Sequence, residues 1–270
     1  MPAVHLPTLK LQIDRLAWQF TRPAEFQAGL HELLEYYADL TFRAGQAVQA
    51  RPLMPSYRVT PLVLHQIEQE LAARVAENAG AALPLADLLW QDEMLEPRRI
   101  AAYLLGQIPP NPPEEILQRL LSWATPEVEN HLLTQLLKQG SFRLRREQPR
   151  PWFGLIEHWL TQKDTDLQRI GIQALLPFIE DRDFENLPPI YNLLGPVLQA
   201  APAALLPELQ TVIQGLAHRS STETLHFTRQ MLATSTNPTL QRLIRRCLPA
   251  FSVDDQAKLR PLIARAPAGS

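Results

Sequence analysis

The sequence contains little cysteine and little glycine. Among its 270 residues there are 10 glycines and a single cysteine, Cys247. One cysteine excludes an intramolecular disulfide framework and is typical of a protein kept in a reducing compartment. Because Cys247 falls on the apolar side of a helical stripe, we expect its thiol to pack as a small hydrophobic side chain.

Long hydrophobic runs and the common catalytic motifs are also missing. No run reaches the roughly 20 apolar residues that a membrane-spanning helix needs, and Lys10, Asp14 and Arg15 interrupt the first apolar stretch, unlike a signal peptide. The chain has no G-x-x-x-x-G-K, G-x-G-x-x-G, H-E-x-x-H or G-x-S-x-G motif, and its seven histidines include no i, i+4 pair. We therefore expect a cytoplasmic protein with no metal, no cofactor and no membrane partner.

Proline, in contrast, is abundant. The chain has 25 prolines, which would interrupt the hydrogen-bond ladders of a β-sheet. At the first position of a helix a proline costs nothing, because the N–H it lacks has no partner there. Three dipeptides place a capping residue directly before such a proline, which predicts helix starts at Thr60-Pro61, Thr125-Pro126 and Asn237-Pro238.

Apolar residues recur at helical spacing along the whole chain, and no segment shows sustained β alternation. One stripe is Leu64, Ile67, Leu71 and Val75. Such stripes predict about a dozen helices, whose pairs recur about every 40 residues, the spacing of HEAT and armadillo repeats. The predicted fold class is all-α, an α-α superhelix (solenoid) of HEAT-like helix pairs.

Changes along the chain suggest four segments. Residues 1–45 are predicted to form an N-terminal helical pair that caps the array, and residues 46–59 to form a loop containing two prolines. Residues 60–265 are predicted to form the HEAT-like repeat array, because the helical stripes follow one another there with short polar connections. Residues 266–270 are expected to be a disordered tail.

The net charge is only −2, but its distribution is uneven. Residues 23–96 carry eleven acidic and four basic residues, whereas residues 138–150 carry five basic and one acidic residue. Residues 219–265 carry eight basic and three acidic residues. An acidic N-terminal third followed by a basic remainder predicts that one face or end of the solenoid suits anions.

Two arginine clusters are candidates for phosphate contacts, since arginine donates paired hydrogen bonds to phosphate oxygens. The first, with Arg145 and Arg146, lies in a helix–helix connection, and the second, with Arg242 and Arg246, shares one helical face. A solvated surface is the alternative for both clusters. Two of the five tryptophans, Trp123 and Trp152, lie near the first cluster, where each is either a stacking platform for a base or a partly buried residue of a repeat junction.

Residues 58–263 resemble the HEAT-like DNA alkylation repair glycosylases, because several short motifs of that family occur there in the same order. Residues 58–61 (RVTP) are similar to the family's G-I-x-T-P entry into an early helix. Leu89-Trp90, followed by residues 96–102 (EPRRIAA), resembles its L-W … R-E … A-A helix pair. Trp159 and residues 167–172 (LQRIGI) resemble its W … L-Q-R-A-A-I pattern. The last two helices resemble the family's basic closing pair.

The resemblance implies a basic concave face that cradles duplex DNA. It also implies an enzyme that removes N3- or N7-alkylated purines from that DNA. Arg169 matches the arginine of L-Q-R, which implies a contact with the DNA backbone. The family's W-D-x-V-D helix corresponds to residues 126–131, which places the catalytic carboxylate position at His131, with Glu127 and Glu129 as nearby substitutes. A second family tryptophan falls near Gln214. The catalytic candidates are therefore Glu129 and His131, and the aromatic positions are lost.

These observations predict a HEAT-like protein of the DNA alkylation repair superfamily with a DNA-binding face. The candidate contacts to the DNA backbone are Arg169, Arg145, Arg146, Arg242 and Arg246. Loss of the sugar-flanking tryptophans and of an aspartate at the catalytic position predicts a diverged or inactive alkylpurine glycosylase, so whether the chain is an enzyme stays open. The alternative function is a protein–protein scaffold whose partner lies in the solenoid groove.

Overall fold

The computed structural model describes residues 5–39 and 54–264, and every element in these ranges is helical. The chain divides into two compact units, Met1–Pro149 and Arg150–Ser270. Part of the predicted loop and the predicted tail, residues 46–53 and 266–270, lie outside the described residues. The predicted division into a cap pair and a repeat array stays a prediction.

The first unit consists of helices arranged in two layers. α1 packs on α3, α3 on α5, and α5 on α7, while α2 packs on α4 and α4 on α5. The helices are α1 (Leu6–Ala17), α2 (Pro23–Tyr36), α3 (Pro61–Glu77), α4 (Ala79–Trp90), α5 (Leu95–Gln107), α6 (Glu114–Trp123), α7 (Asn130–Gln135) and α8 (Phe142–Glu147).

The second unit repeats this arrangement. α10 and α11 pack on α13 and α13 on α15, while α12 packs on α14 and α14 on α16. The helices are α9 (Pro149–Leu160), α10 (Thr165–Gln173), α11 (Leu176–Glu180), α12 (Pro188–Ala200), α13 (Leu206–Arg219), α14 (Ser221–Thr234), α15 (Pro238–Cys247) and α16 (Val253–Ala264). Alternation of helices between two layers within each unit confirms the predicted all-α fold of repeated helix pairs.

Two of the three predicted helix starts are confirmed. α3 begins at Pro61 and α15 at Pro238, where the Asn237 side chain accepts a hydrogen bond from the Thr239 N–H at 2.9 Å. The start predicted at Thr125-Pro126 is wrong, because the Val128 N–H bonds to the Thr125 carbonyl and closes a turn instead. The next helix, α7, begins only at Asn130.

A π-helix, Leu136–Gly140, continues α7 and packs against α5. Gly106 on α5 makes this approach feasible, because a Cβ at that position would lie 1.7 Å from the Gln139 carbonyl oxygen. The two backbones are thus in direct contact. Leu136 and Leu137 of the π-helix are buried, as are Leu104 and Leu105 of α5.

Candidate nucleic-acid interface

α15 presents a basic face opposite an apolar one. Leu240, Leu243, Ile244 and Cys247 are buried, in keeping with the helical spacing of the sequence. The opposite face carries three exposed arginines, which are Arg242, Arg245 and Arg246. Within residues 5–39 and 54–264, these three side chains make no hydrogen bond and no ion pair. Their three positive charges are therefore presented to solvent without a neutralising partner. We call this the α15 arginine face.

Arg169 occupies a different electrostatic setting on α10. Its Nε donates to Glu208 Oε1 at 3.0 Å, and its Nη1 pairs with Asp166. Burial acts to lower the pKa of Arg169, but the bond to Asp166 and the charges of both carboxylates outweigh it and raise that pKa. Nη2 also donates to the Ala204 carbonyl. Arg169 thus joins α10 to the start of α13, and two carboxylates already offset its charge.

The two arginines of the first cluster differ from each other. Arg145 is only 6% exposed, and its Nη1 donates to the Lys138 carbonyl and to Ser141 Oγ, the latter at 3.1 Å. This guanidinium therefore caps the end of the π-helix, and the predicted contact of Arg145 with a phosphate stays a prediction. Arg146 is exposed, and its guanidinium lies 5.2 Å from the centre of the Phe142 ring.

The two catalytic candidates lie at the start of α7. Glu129 is half-buried in extended backbone directly before the helix, and its carbonyl accepts the Leu133 N–H. Its Oε2 also accepts a hydrogen bond of 3.5 Å from the Met54 N–H. His131 is exposed on the first turn of the helix. The structure therefore gives Glu129, and not His131, a defined position against a neighbouring segment.

The segment before α3 is held by a buried carboxylate that sequence analysis missed. Glu96, at the start of α5, is 3% exposed and accepts hydrogen bonds from Ser56 Oγ (2.7 Å), the Tyr57 N–H (3.1 Å) and the Arg58 N–H (2.8 Å). Arg58 has a φ of 55°, a left-handed backbone that is uncommon for a residue with a side chain. Three bonds to one carboxylate hold the backbone in this form. We call residues 54–60 the Glu96-bound strap.

A second network joins α2 to this strap. His31 Nε2 donates to Asp92 Oδ2 at 2.8 Å, and its Nδ1 lies within hydrogen-bond distance of the Tyr57 hydroxyl, at 2.7 Å. Gln27 also donates to Asp92 Oδ2, at 2.6 Å. Burial acts to raise the pKa of Asp92, but hydrogen bonds from the Met94 N–H, Gln27 and His31 lower it below its usual value. The network therefore holds an ionised carboxylate inside the first unit.

The tryptophans near the first arginine cluster are core residues. Trp123 stacks on Trp90 with ring centres 4.7 Å apart, and Trp152 meets Trp159 edge to face at 5.8 Å. All four are buried, so neither Trp123 nor Trp152 offers a face for a base. The exposed tryptophan is Trp18, at 77%.

The structure describes no group of three or more histidine, cysteine or acidic side chains that could hold a metal ion within residues 5–39 and 54–264. Over the same residues, no helix has both the length and the hydrophobicity that crossing a bilayer requires.

The fold and the family comparison agree. The molecule is an all-α protein of repeated helix pairs, and residues 43–195, more than half of the chain, match the family model described as DNA alkylation repair enzyme. The chain belongs to the DNA alkylation repair family. Comparison with curated proteins gave no match, and comparison with solved structures gave none.

Proposed function

We propose that this protein binds the backbone of duplex DNA, with Arg242, Arg245 and Arg246 as phosphate contacts. The observation that carries the proposal is the α15 arginine face, whose three guanidinium groups are exposed and have no partner within the described residues. Membership of a DNA repair family supports DNA as the anion. Because α15 lies beyond the matched residues, its role rests on its own charge and exposure.

Arginine suits this task because its planar guanidinium donates two parallel hydrogen bonds to phosphate oxygens. Three such contacts predict a slope of about −2.7 for log affinity against log salt concentration. Raising salt fourfold, from about 50 to about 200 mM, should therefore weaken binding about 40-fold. Arg146 is a candidate for a further contact, whereas Arg169 would first have to separate from its two carboxylates.

Fluorescence anisotropy with a labelled duplex over a salt series tests the proposal. Reversing two charges of the α15 arginine face, Arg242→Glu with Arg246→Glu, should abolish detectable binding at low salt. The matched control is Lys10→Glu with Arg15→Glu on α1, which changes net charge equally at exposed positions and should retain binding. Equal loss in both double variants, or no binding by the unaltered protein at low salt, would contradict the proposal. The latter result would favour the protein–protein scaffold.

A second candidate function is excision of a cationic alkylpurine with Glu129 as the carboxylate. The observation favouring it is that Glu129 is half-buried at the start of α7, in hydrogen-bond range of the Met54 N–H. In a register of W-D-x-V-D shifted by two residues from the one that gives His131, Val128 takes the place of the valine, Glu129 the final acidic position and Thr125 that of the tryptophan. A carboxylate there would stabilise positive charge developing on the sugar.

Single-turnover release of N7-methylguanine from alkylated duplex DNA, with enzyme in excess, tests this second candidate. We expect slow release, because Thr125 replaces the aromatic side chain. Glu129→Gln should lower the rate at least about 100-fold, while His131→Ala, its neighbour on the exposed side, should leave it unchanged. Release that is insensitive to Glu129→Gln would place the chemistry elsewhere.

A further inference from the structure

A hollow in the second unit lies between α12 and α14. Its volume is about 560 Å³, which is within the range of about 300–1,000 Å³ that small-molecule sites occupy. Every residue that lines it belongs to one of these two helices. The hollow is separate from the α15 arginine face and from Glu129, so neither proposed function uses it.

The floor of the hollow is aromatic and apolar. The rings of Tyr191 and Phe227 lie with their centres 4.9 Å apart and their planes tilted by 44°, beside Met231. Gly195 leaves room above them, since a Cβ built there would meet no atom within 4 Å although the residue itself is buried. A side chain at this position would fill the space, so the glycine keeps the floor open to a flat ligand.

The rim carries polar groups whose hydrogen bonds are not used within the protein. The side chains of Glu223 and His226 are exposed and make no hydrogen bond or ion pair with any other described residue. Pro196 has no N–H, so the Asn192 carbonyl lacks its usual helical donor. In contrast, the Tyr191 hydroxyl is already bonded to Thr224 Oγ1 at 2.9 Å.

One acidic side chain, Glu223, lies on the rim of the hollow. Burial raises the pKa of Tyr191, and the charge of Glu223 raises it further, so the field of this carboxylate reaches the aromatic floor. Aromatic faces also attract cations through their quadrupole. The Glu223 carboxylate forms no ion pair with any described residue, so a positively charged ligand could pair with it.

We infer that this hollow binds a small organic cation with a flat aromatic body. The ring of the ligand would lie on Tyr191 and Phe227, and its ammonium group would pair with Glu223. His226 and the Asn192 carbonyl are the remaining polar groups in reach of such a ligand. This is a binding activity distinct from DNA contact, and it does not depend on either proposed function.

Three indole probes of similar size test the inference: tryptamine is a cation, 3-ethylindole is neutral and indole-3-propionate is an anion. The chain has four methionines, and with ¹³C-labelled methyl groups Met231 reports on the floor of the hollow. Tryptamine should shift the Met231 methyl resonance in a saturable way. It should bind about fivefold more tightly than 3-ethylindole, while indole-3-propionate should bind more weakly than both.

Variants separate the two parts of the site. Glu223→Gln, at an exposed position, should remove the preference for tryptamine over 3-ethylindole but keep the binding of both. Gly195→Leu should fill the hollow and abolish both, whereas Gly154→Leu, at an exposed helical position of the same unit with no atom within 4 Å of its Cβ, should not. No Met231 shift with any probe, equal binding of all three probes, or binding that persists in a folded Gly195→Leu variant would overturn the inference.

Discussion

Replacing Gly106 by alanine should destabilise the first unit through a single methyl group. The new Cβ would lie 1.7 Å from the Gln139 carbonyl oxygen and 2.8 Å from its carbon. A carbon and a carbonyl oxygen in contact are normally at least about 3.3 Å apart, so α5 and the π-helix would have to separate by about 1.6 Å. Overpacking that moves backbone costs about 1–3 kcal/mol or more, against about 1 kcal/mol gained in helix propensity.

Because the opposing atoms are backbone and cannot rotate away, we expect the cost to lie at the upper end. A net loss of about 2 kcal/mol corresponds to a fall in Tm of about 4–8 °C for a unit of this size. Thermal unfolding followed by circular dichroism measures it. The control is Gly154→Ala, where the added methyl meets nothing and stability should rise by about 0.5–1 kcal/mol. If Gly106→Ala unfolded at the same temperature as the unaltered protein, the direct backbone contact would be refuted.

Three further outcomes follow from buried groups. Arg145→Ala should lower the free energy of unfolding by about 1.5–3 kcal/mol, because charged hydrogen bonds to the π-helix are lost. Arg146 is exposed, so Arg146→Ala should change the free energy of unfolding in urea by less than about 0.5 kcal/mol. Equal effects of the two substitutions would contradict the burial of Arg145. Burial raises the pKa of the Cys247 thiol to about 12, so a disulfide reagent at about pH 8 should label the protein only when it is unfolded. Burial would raise the pKa of Asp92, but its hydrogen bonds hold that pKa low, so its contribution to stability is present above about pH 4 and is lost as the pH falls through the folded-state value. The stability difference between the unaltered protein and Asp92→Asn should shrink at low pH, and a difference independent of pH would contradict this.

Features set by neighbours along the chain could be predicted from the sequence. The spacing of Arg242 and Arg246 was sufficient to place them on one helical face, because that relation depends only on helical period. Pro61 and Pro238 likewise mark helix starts through their own backbone chemistry. The failure at Thr125-Pro126 has the same local origin, since a capping residue before proline also suits a turn, and the competing turn formed.

Features set by distant partners could not be predicted in this way. The burial of Arg145 depends on a π-helix, whose extra residue per turn leaves no signature in the apolar stripe. Glu96 bonds to backbone N–H groups 38 and 39 residues earlier, and Asp92 to a histidine 61 residues earlier. No periodic pattern in the sequence indicates a contact between residues so far apart along the chain. From the sequence alone, a glutamate in the first turn of a helix is explained by its favourable interaction with the helix dipole. Its hydrogen bonds to the Glu96-bound strap are visible only in the structure.

The position of Glu96 in the sequence determines when its hydrogen bonds to the Glu96-bound strap can form during synthesis. The N–H groups of Tyr57 and Arg58 emerge from the ribosome well before the carboxylate that accepts them, and His31 emerges earlier still than Asp92. At about 5–20 residues per second, about 2–8 s pass between synthesis of Tyr57 and of Glu96, and about 3–12 s between synthesis of His31 and of Asp92. The first three helices can form in that interval, but the bonds of His31 to Asp92 and of the strap to Glu96 cannot. Fixing of the strap by Glu96 is thus delayed until residue 96 is free of the exit tunnel, so residues 54–60 should become protected from proteolysis only after that point in translation.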